Sequence, residues 1–472
     1  MDAVHIREVG EDGLEPGRAI ECDIHREGAG VTPVGNCSPP AACLLTSRTR
    51  GAIIAGSRSR SGRQNVGEGW GATTQGGVEV CFVKKRLIGA LSTGALLAVL
   101  VPGAATFAQD ASWTVVTEGL DAPRGLEFGP DGTLYVAIAG SGGDECMEAP
   151  GPEGPELMKI CVGATGSVTA IDVASGEATE VLPGLPSTHI EVEGVLGPPD
   201  VAIADDGTIY VLTADGNVPD AEERAEGDIG GIVWMVGDDG APVQVADLVA
   251  YEASANPDGG VTDSNPNGIV VAPDGNLLVA DAGANAVFMI DAEGETTTVA
   301  TFADTMVEAP MMPEGEGEAE AGEESGEEAA EGGEPAMMPM QQVPTHVTIG
   351  PDGAAYVTFL RGFPFAPGSA WIARVAEGEE PTAYAEGLTN AVGSAFSSDG
   401  TLYVVEMFTN GMMSGDPTGA LKAVPPGGGE PTLVASDGLI TPGGIAVSAD
   451  DEIYISNGSA QPGGGSIVKL EQ

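Results

Sequence analysis

Basic residues are scarce in this chain of 472 residues: 18 Lys and Arg stand against 71 Asp and Glu, a formal net charge of −53. That sign excludes nucleic acid as a partner and makes an anionic membrane surface a poor one. Aromatic residues make up 4% and His occurs four times. With so few imidazoles, and only His189 and His346 in the C-terminal three quarters, a three-His zinc site cannot form within one chain. No apolar run reaches the twenty or so residues that a spanning helix requires. No Gly-x-Ser-x-Gly elbow, phosphate loop or His-Glu-x-x-His motif is present, so catalysis has no local signature and enzymatic status stays open.

What the chain has is repetition. Six stretches read nearly alike: PRGLEFGPDGTLYVA from Pro123, PPDVAIADDGTIYVL from Pro198, PNGIVVAPDGNLLVA from Pro266, PTHVTIGPDGAAYVT from Pro344, AVGSAFSSDGTLYVV from Ala391 and PGGIAVSADDEIYIS from Pro442. Each couples two short apolar strands through a tight turn; in five of the six Asp bonds its own backbone and Gly takes positive φ, and the sixth has Asp450-Asp451 there. Two more strands follow each pair, for example Ala286–Asp291 and Thr296–Phe302. Four strands per unit without a helical period is the pattern of an all-β, six-bladed propeller. The sixth unit ends at Gln472 without an outer strand, and Ser112–Glu118 has no unit of its own. The N-terminal strand is therefore expected to complete the last blade and remove the open edge.

Ahead of the repeats, Lys84-Lys85-Arg86 precede an apolar run from Leu87 to Val101 and a small-residue end at Ala108. Residues 83–108 read as a signal peptide cleaved before Gln109, so the protein is expected to be secreted with no membrane span retained. Residues 1–82 carry four of the six cysteines and no strand period, and read as a mis-annotated or disordered extension. The propeller then occupies 109–472 with seven basic and 61 acidic residues. Eleven Glu between Glu308 and Glu334, flanked by Pro-Met-Met motifs, mark 308–342 as a disordered acidic insert. Cys146 and Cys161 are left as a pair, the pattern of a disulfide in an exported protein.

Long connections fall on one face: Gly140–Thr165, Ala214–Gly230, Arg361–Ser369, Phe408–Gly419 and Gly458–Gly465. A ligand is expected there, where the central channel is read as opening. Arg124, Arg361, Phe363 and Phe365 would supply a cation and aromatic surface. Aligning the repeats on the turn Asp sets Gly125, Asp200, Gly268, His346, Gly393 and Gly444 at one level. His346 is thus a channel residue and a candidate base. Oxygens of Asp200, Asn267, Asp281, Glu406 and Asn457 are candidates for a Ca²⁺ site; the other reading of Asp and Asn at strand ends is that they cap turns.

Pro266–Asp291 resembles the NHL repeat. A more specific resemblance lies in APRGLEFGPDGTLYVAIAGSGG, in CVGATGSVTAID and in VPTHVTIGPDGAAYVTFLRGFPFAPGSAWIARV. These look like the ScyD/ScyE family of exported six-bladed propellers, and the loop Gly362–Gly368 is the most specific part. That resemblance implies fold and export, but no agreed activity. The acidic insert departs from the family pattern. A wider resemblance, of architecture alone, is to gluconolactonase-like and strictosidine-synthase-like propellers. It implies one calcium at Asn267, Asp281 and Glu406. The functional expectation is a binding module for a small molecule, glycan or extracellular protein, with a calcium-dependent hydrolase or lactonase as the alternative.

Overall fold

The computed structural model describes residues 69–75, 78–84, 112–151, 154–191, 194–214, 230–237, 239–310, 336–376 and 378–471. Residues 85–108 of the expected signal peptide, most of the 1–82 extension and 311–335 of the acidic insert lie outside them. The chain divides into two units, 1–103 and 104–472. In the first, Gly69–Gln75 pairs antiparallel with Val78–Lys84.

The second unit is built of antiparallel sheets. Five have four strands in chain order or closed by the N-terminal strand. The second sheet holds Val201–Ile203, Ile209–Thr213, Ile232–Val236 and Pro242–Asp247. The third holds Pro266–Val271, Leu277–Asp281, Ala286–Ile290 and Thr296–Thr301. The fourth runs from Pro344–Ile349 to Thr382–Leu388 and the fifth from Ala391–Phe396 to Thr432–Ala435. In the sixth, Gly444–Val447, Ile453–Asn457 and Gly465–Glu471 are completed by Ser112–Leu120. The expected closure is therefore present, with Ser112 opposite Glu471 and Leu120 opposite Gly465.

Among the described residues the innermost strands meet in cyclic order. Pro123–Phe128 packs on Val201–Ile203, that strand on Pro266–Val271, and so on through Pro344–Ile349, Ala391–Phe396 and Gly444–Val447 back to Pro123–Phe128. This is a propeller. Its apolar clusters lie between neighbouring sheets: Leu212, Val233, Val279 and Phe288 join the second and third, and Val287, Phe302, Val357 and Phe359 join the third and fourth. Trp371 stacks on Phe359 with ring centroids 4.7 Å apart, so the few aromatic rings are concentrated where two sheets abut. The turns are those read from the repeat: Asp131, Asp206, Asp274 and Asp399 each accept the main-chain N–H two residues on.

Three features depart from the sequence reading. The first sheet is larger than four strands, because Gly154–Asp172 and Glu177–Ile190 run on beyond the ring and add Glu145–Gly151 and Gly194–Leu196. The disulfide Cys146–Cys161, with S–S 2.07 Å, joins two residues directly opposite in this ladder. A helix, Leu248–Ala255, follows the second sheet; Asp247 caps it by accepting from Ala250 N, and left-handed Asn256 ends it. The ends of the 308–342 segment are ordered: Thr305–Glu308 pairs with Met337–Met340, where Val307 and Met338 lie opposite one another. No helix among the described residues is long and apolar enough to cross a membrane.

Phe288 is fully buried between two sheets. Replacing it with Ala should lower the free energy of unfolding in urea by about 3–5 kcal/mol, the cost of a cavity that rigid sheets cannot collapse. A loss below about 1 kcal/mol would show that the sheets do not pack as described.

Candidate functional site

The channel is formed by inner strands that come to backbone contact. Gly125 N donates to Pro199 O across two sheets at 2.9 Å. A Cβ on Gly268 would stand 2.5 Å from His346 Cα, and one on Gly125 would overlap Asp200 Oδ1. Glycine is thus required at these levels by space, and it leaves the channel cross-section to the two larger residues of the ring, Asp200 and His346.

These two residues line two cavities along the axis and are shared by them. The cavity at the starts of the inner strands is small, about 40 Å³, and is bounded by Arg124, Pro199, Asn267, Thr345, Val392 and Met407. At the opposite end, where the inner strands run into the Pro-Asp-Gly turns, lies a chamber of about 240 Å³. The sequence reading put the opening on the loop-decorated face; the larger space is at the other end. Arg124 lines the smaller cavity; its buried guanidinium donates to Val195 O at 2.5 Å, and burial lowers its pKa to about 10.

The polar residues that line the chamber are Glu127, Asp200, His346, Thr348 and Ser394; four of them, Glu127, Asp200, His346 and Ser394, come from four different sheets. Asp200 Oδ1 accepts from Val201 N and Oδ2 from Ile269 N, both at 2.9 Å, so one carboxyl ties the second sheet to the third. Glu127 reaches from the first sheet and accepts from Ile203 N at 2.8 Å. Ser394 N donates to His346 Nδ1 at 3.3 Å, which leaves the proton of a neutral ring on Nε2, 3.8 Å from Asp200 Oδ2. Ser394 Oγ lies 3.5 Å from the same Nδ1 and 3.0 Å from Thr358 Oγ1.

Burial decides the charge here. It pushes Glu127 up from 4.5 to about 8, with Asp200 adding to the rise, and Asp200 up from 3.8 to about 7. It pulls His346 down from 6.5 to about 4. The His346–Asp200 approach has the spacing of an ion pair, yet in mildly acidic solution desolvation keeps both partners neutral, and the contact is polar without being ionic.

The structure does not gather the expected calcium ligands. Asp200 and Asn267 line the mouth cavity. The other three sit at second-strand ends and each clasps the chain entering its own sheet. Asp281, fully buried, accepts from Ser264 Oγ at 2.6 Å and from Asn265, Gly283 and Ala284 main-chain N–H groups. Glu406 accepts from Thr389 N at 2.8 Å and Thr409 Oγ1 at 2.7 Å, with Lys422 Nζ 3.6 Å away. Asn457 accepts from Ile440 N at 2.7 Å and donates to Gly438 O. Donor sets already saturated in this way do not fit a shared metal. Among the described residues no three His, Cys, Asp or Glu side chains form a metal-holding group.

Arg361, Phe363 and Phe365 lie away from the channel lining. Arg361 is buried at φ 74° with Nε unpartnered; burial lowers its pKa and the charge of Asp304 opposes that. The rings of Phe363 and Phe365 meet edge-on at 6.2 Å, and Phe363 is exposed. Glu127 and Ser394 were missed by the sequence reading. Glu127 lies two residues beyond Gly125, on the same face of the strand, where the other repeats carry Ala202, Val270, Thr348, Ala395 and Ala446. Carrying the alignment one period further would have shown it.

No family model matches the chain, and no curated protein matches it. Solved structures do. A virginiamycin B lyase from Staphylococcus aureus with quinupristin is 14% identical, covering 77% of this chain and 99% of its own, with a TM-score of 0.41. A gluconolactonase from Xanthomonas campestris is 11% identical over 77% and 91% of the two chains, TM-score 0.44. A calcium-binding regucalcin from Agrobacterium tumefaciens is 12% identical over 76% and 94%, TM-score 0.43. Identities this low carry no activity across.

A raised carboxyl pKa means that the folded chain holds a proton the unfolded chain has lost. The stabilisation is complete below the free value and is lost as pH rises through the folded one. The thermal midpoint should therefore fall between about pH 5 and about pH 8, and Glu127→Gln should flatten the decline. An unchanged slope in that variant would show Glu127 to be solvated.

Proposed function

We propose that the protein is a ligand-binding propeller of the ScyD/ScyE type whose ligand, a small polar molecule, occupies the channel chamber. The observation that carries this reading is the convergence of Glu127, Asp200, His346 and Ser394, from four different sheets, on one chamber of about 240 Å³. Ligand pockets combine an apolar wall with a few convergent polar groups. Here the wall is Leu126, Phe128, Ile269, Val347, Phe396 and Ile445. Neutral carboxyls and a neutral imidazole present both donors and acceptors, which suits an uncharged, hydroxyl-rich or amide-bearing ligand.

A second reading places hydrolysis, including lactone opening, in the same chamber. It is favoured by the succession of Ser394, His346 and Asp200, in which an imidazole lies between a hydroxyl and a carboxyl. The calcium-dependent form of that chemistry finds less support, because Asp281 and Glu406 face the crossovers of separate sheets.

The test is a thermal-shift screen of the purified chain against sugars, lactones and amino-acid amides, repeated with His346→Leu and with Phe363→Ala. Hits lost in His346→Leu and kept in Phe363→Ala support the chamber. The opposite pattern moves the ligand to the outer loop face, and release of product from a lactone hit turns the binding reading into the enzymatic one.

We also propose that the chain is exported, on the support of the basic and apolar run 84–101 and of the Cys146–Cys161 bond. Mass spectrometry of the culture medium should find a mature N-terminus at Gln109. A product retained in the cytoplasm with its first 108 residues would overturn it.

A further inference from the structure

A second polar site stands apart from the channel, at the end of the helix Leu248–Ala255. Glu252 on that helix is 1% exposed, and among the described residues neither of its carboxylate oxygens meets a protein donor. Asn256 lies four residues on, at the same side of the last turn. Its Oδ1 is also buried without a donor, although its Nδ2 donates to Gly260 O at 3.1 Å. Three acceptor oxygens, two on Glu252 and one on Asn256 four residues on, are thus buried, and among the described residues no N–H or O–H donates to them. An unsatisfied buried acceptor costs about 1–3 kcal/mol, and a charged one more. Evolution of a stable sheet crossover around three of them calls for an occupant.

The surroundings identify its sign. Asp281, Asp258 and Asp263 all act electrostatically on Glu252. Asp281 is fully buried, Asp258 accepts from Asn285 Nδ2 at 3.3 Å, and the carboxyl of Asp263 lies against Gly283. No Lys, Arg or His occurs between Glu252 and Asn285. The helix adds the partial negative charge of its C-terminal carbonyls. One proton on Glu252 relieves a single oxygen and leaves the field of the other carboxylates in place. The donors are all oxygens and one is an amide. Among the described residues no three acidic or sulfur or imidazole side chains are gathered closely enough to hold an ion alone. A mixed set of carboxylate, amide, main-chain and water oxygens is what a hard cation of flexible geometry takes.

We propose that Glu252, with Asn256 and Asp263, holds one calcium ion, which fastens the crossover from the second sheet to the third. This ion is distinct from one at the channel mouth: Glu252, Asn256 and Asp263 line neither channel cavity.

The experiment is calorimetric titration of the chelator-treated full chain with CaCl₂. Thermal midpoints are measured alongside in CaCl₂ and in NaCl of equal ionic strength. Saturable binding of one ion per chain is expected, with a midpoint raised by calcium alone. Glu252→Gln should weaken that binding about tenfold or more, while Glu293→Gln, at an exposed surface acid, should leave it unchanged. Weak binding at many sites, equal in all three proteins, would overturn the proposal. So would a calcium-indifferent midpoint together with a Glu252→Gln protein more stable than the parent, since that pair of results marks Glu252 as a buried protonated acid. If circular dichroism shows that Glu252→Gln does not fold, Asp263→Asn replaces it, and the calcium-specific shift of the parent decides independently.

Discussion

Everything in the ring depends on how closely its inner strands approach. Sheets can surround an axis without a void only if main chain meets main chain at the centre, as Gly125 meets Pro199 and Gly444 lies against Gly125. Side chains at that level are affordable in few places, and here the two that remain are Asp200 and His346. The same constraint that closes the fold therefore selects its functional candidates. A carboxyl and an imidazole are forced into a space from which water is largely excluded, and their charges are suppressed as a result.

The outer constraint is different in kind. Each sheet must receive the chain from its neighbour, and a crossover carries main-chain N–H groups that need acceptors. Asp281, Glu406 and Asn457 meet that need at equivalent positions with three different side chains. Their likeness is one of task. A polar residue ending the second strand turns back and holds the incoming segment, so recurrence of acids at these places reflects repeated architecture before any ligand.

How much of this could be read beforehand follows from the period of the repeat. Aligned turns gave the sheets, the strand order and the closing role of Ser112–Leu120, because those features recur or are missing once in a series. The pairing of Cys146 with Cys161 was legible because they are the two cysteines left in 109–472. Features that occur in one unit alone were not. The helix Leu248–Ala255 is apolar on no single face, and it exists because Asp247 caps it and Asn256 accepts a left-handed conformation. The extension of the first sheet breaks the four-strand rule with residues rich in glycine and proline. Glu127 and Ser394 sit on the right strands, but a position in an alignment states a level along the channel and not which neighbour a side chain meets across it.

The closing strand has a consequence for the order of events. Ser112 pairs with Glu471, and Thr114 Oγ1 donates to the Glu471 carboxylate across 357 residues of chain. A chain that emerges with its N-terminus first presents Ser112–Leu120 long before Gly465–Glu471 exists to receive it. Until then the growing molecule is an open fan with two bare edges, and local pairing within each sheet can proceed while the circle cannot. During that interval the edge of Gly465–Glu471, with one Lys and one Glu, has no net charge to keep other copies away, and only the acidity of the chain as a whole does so.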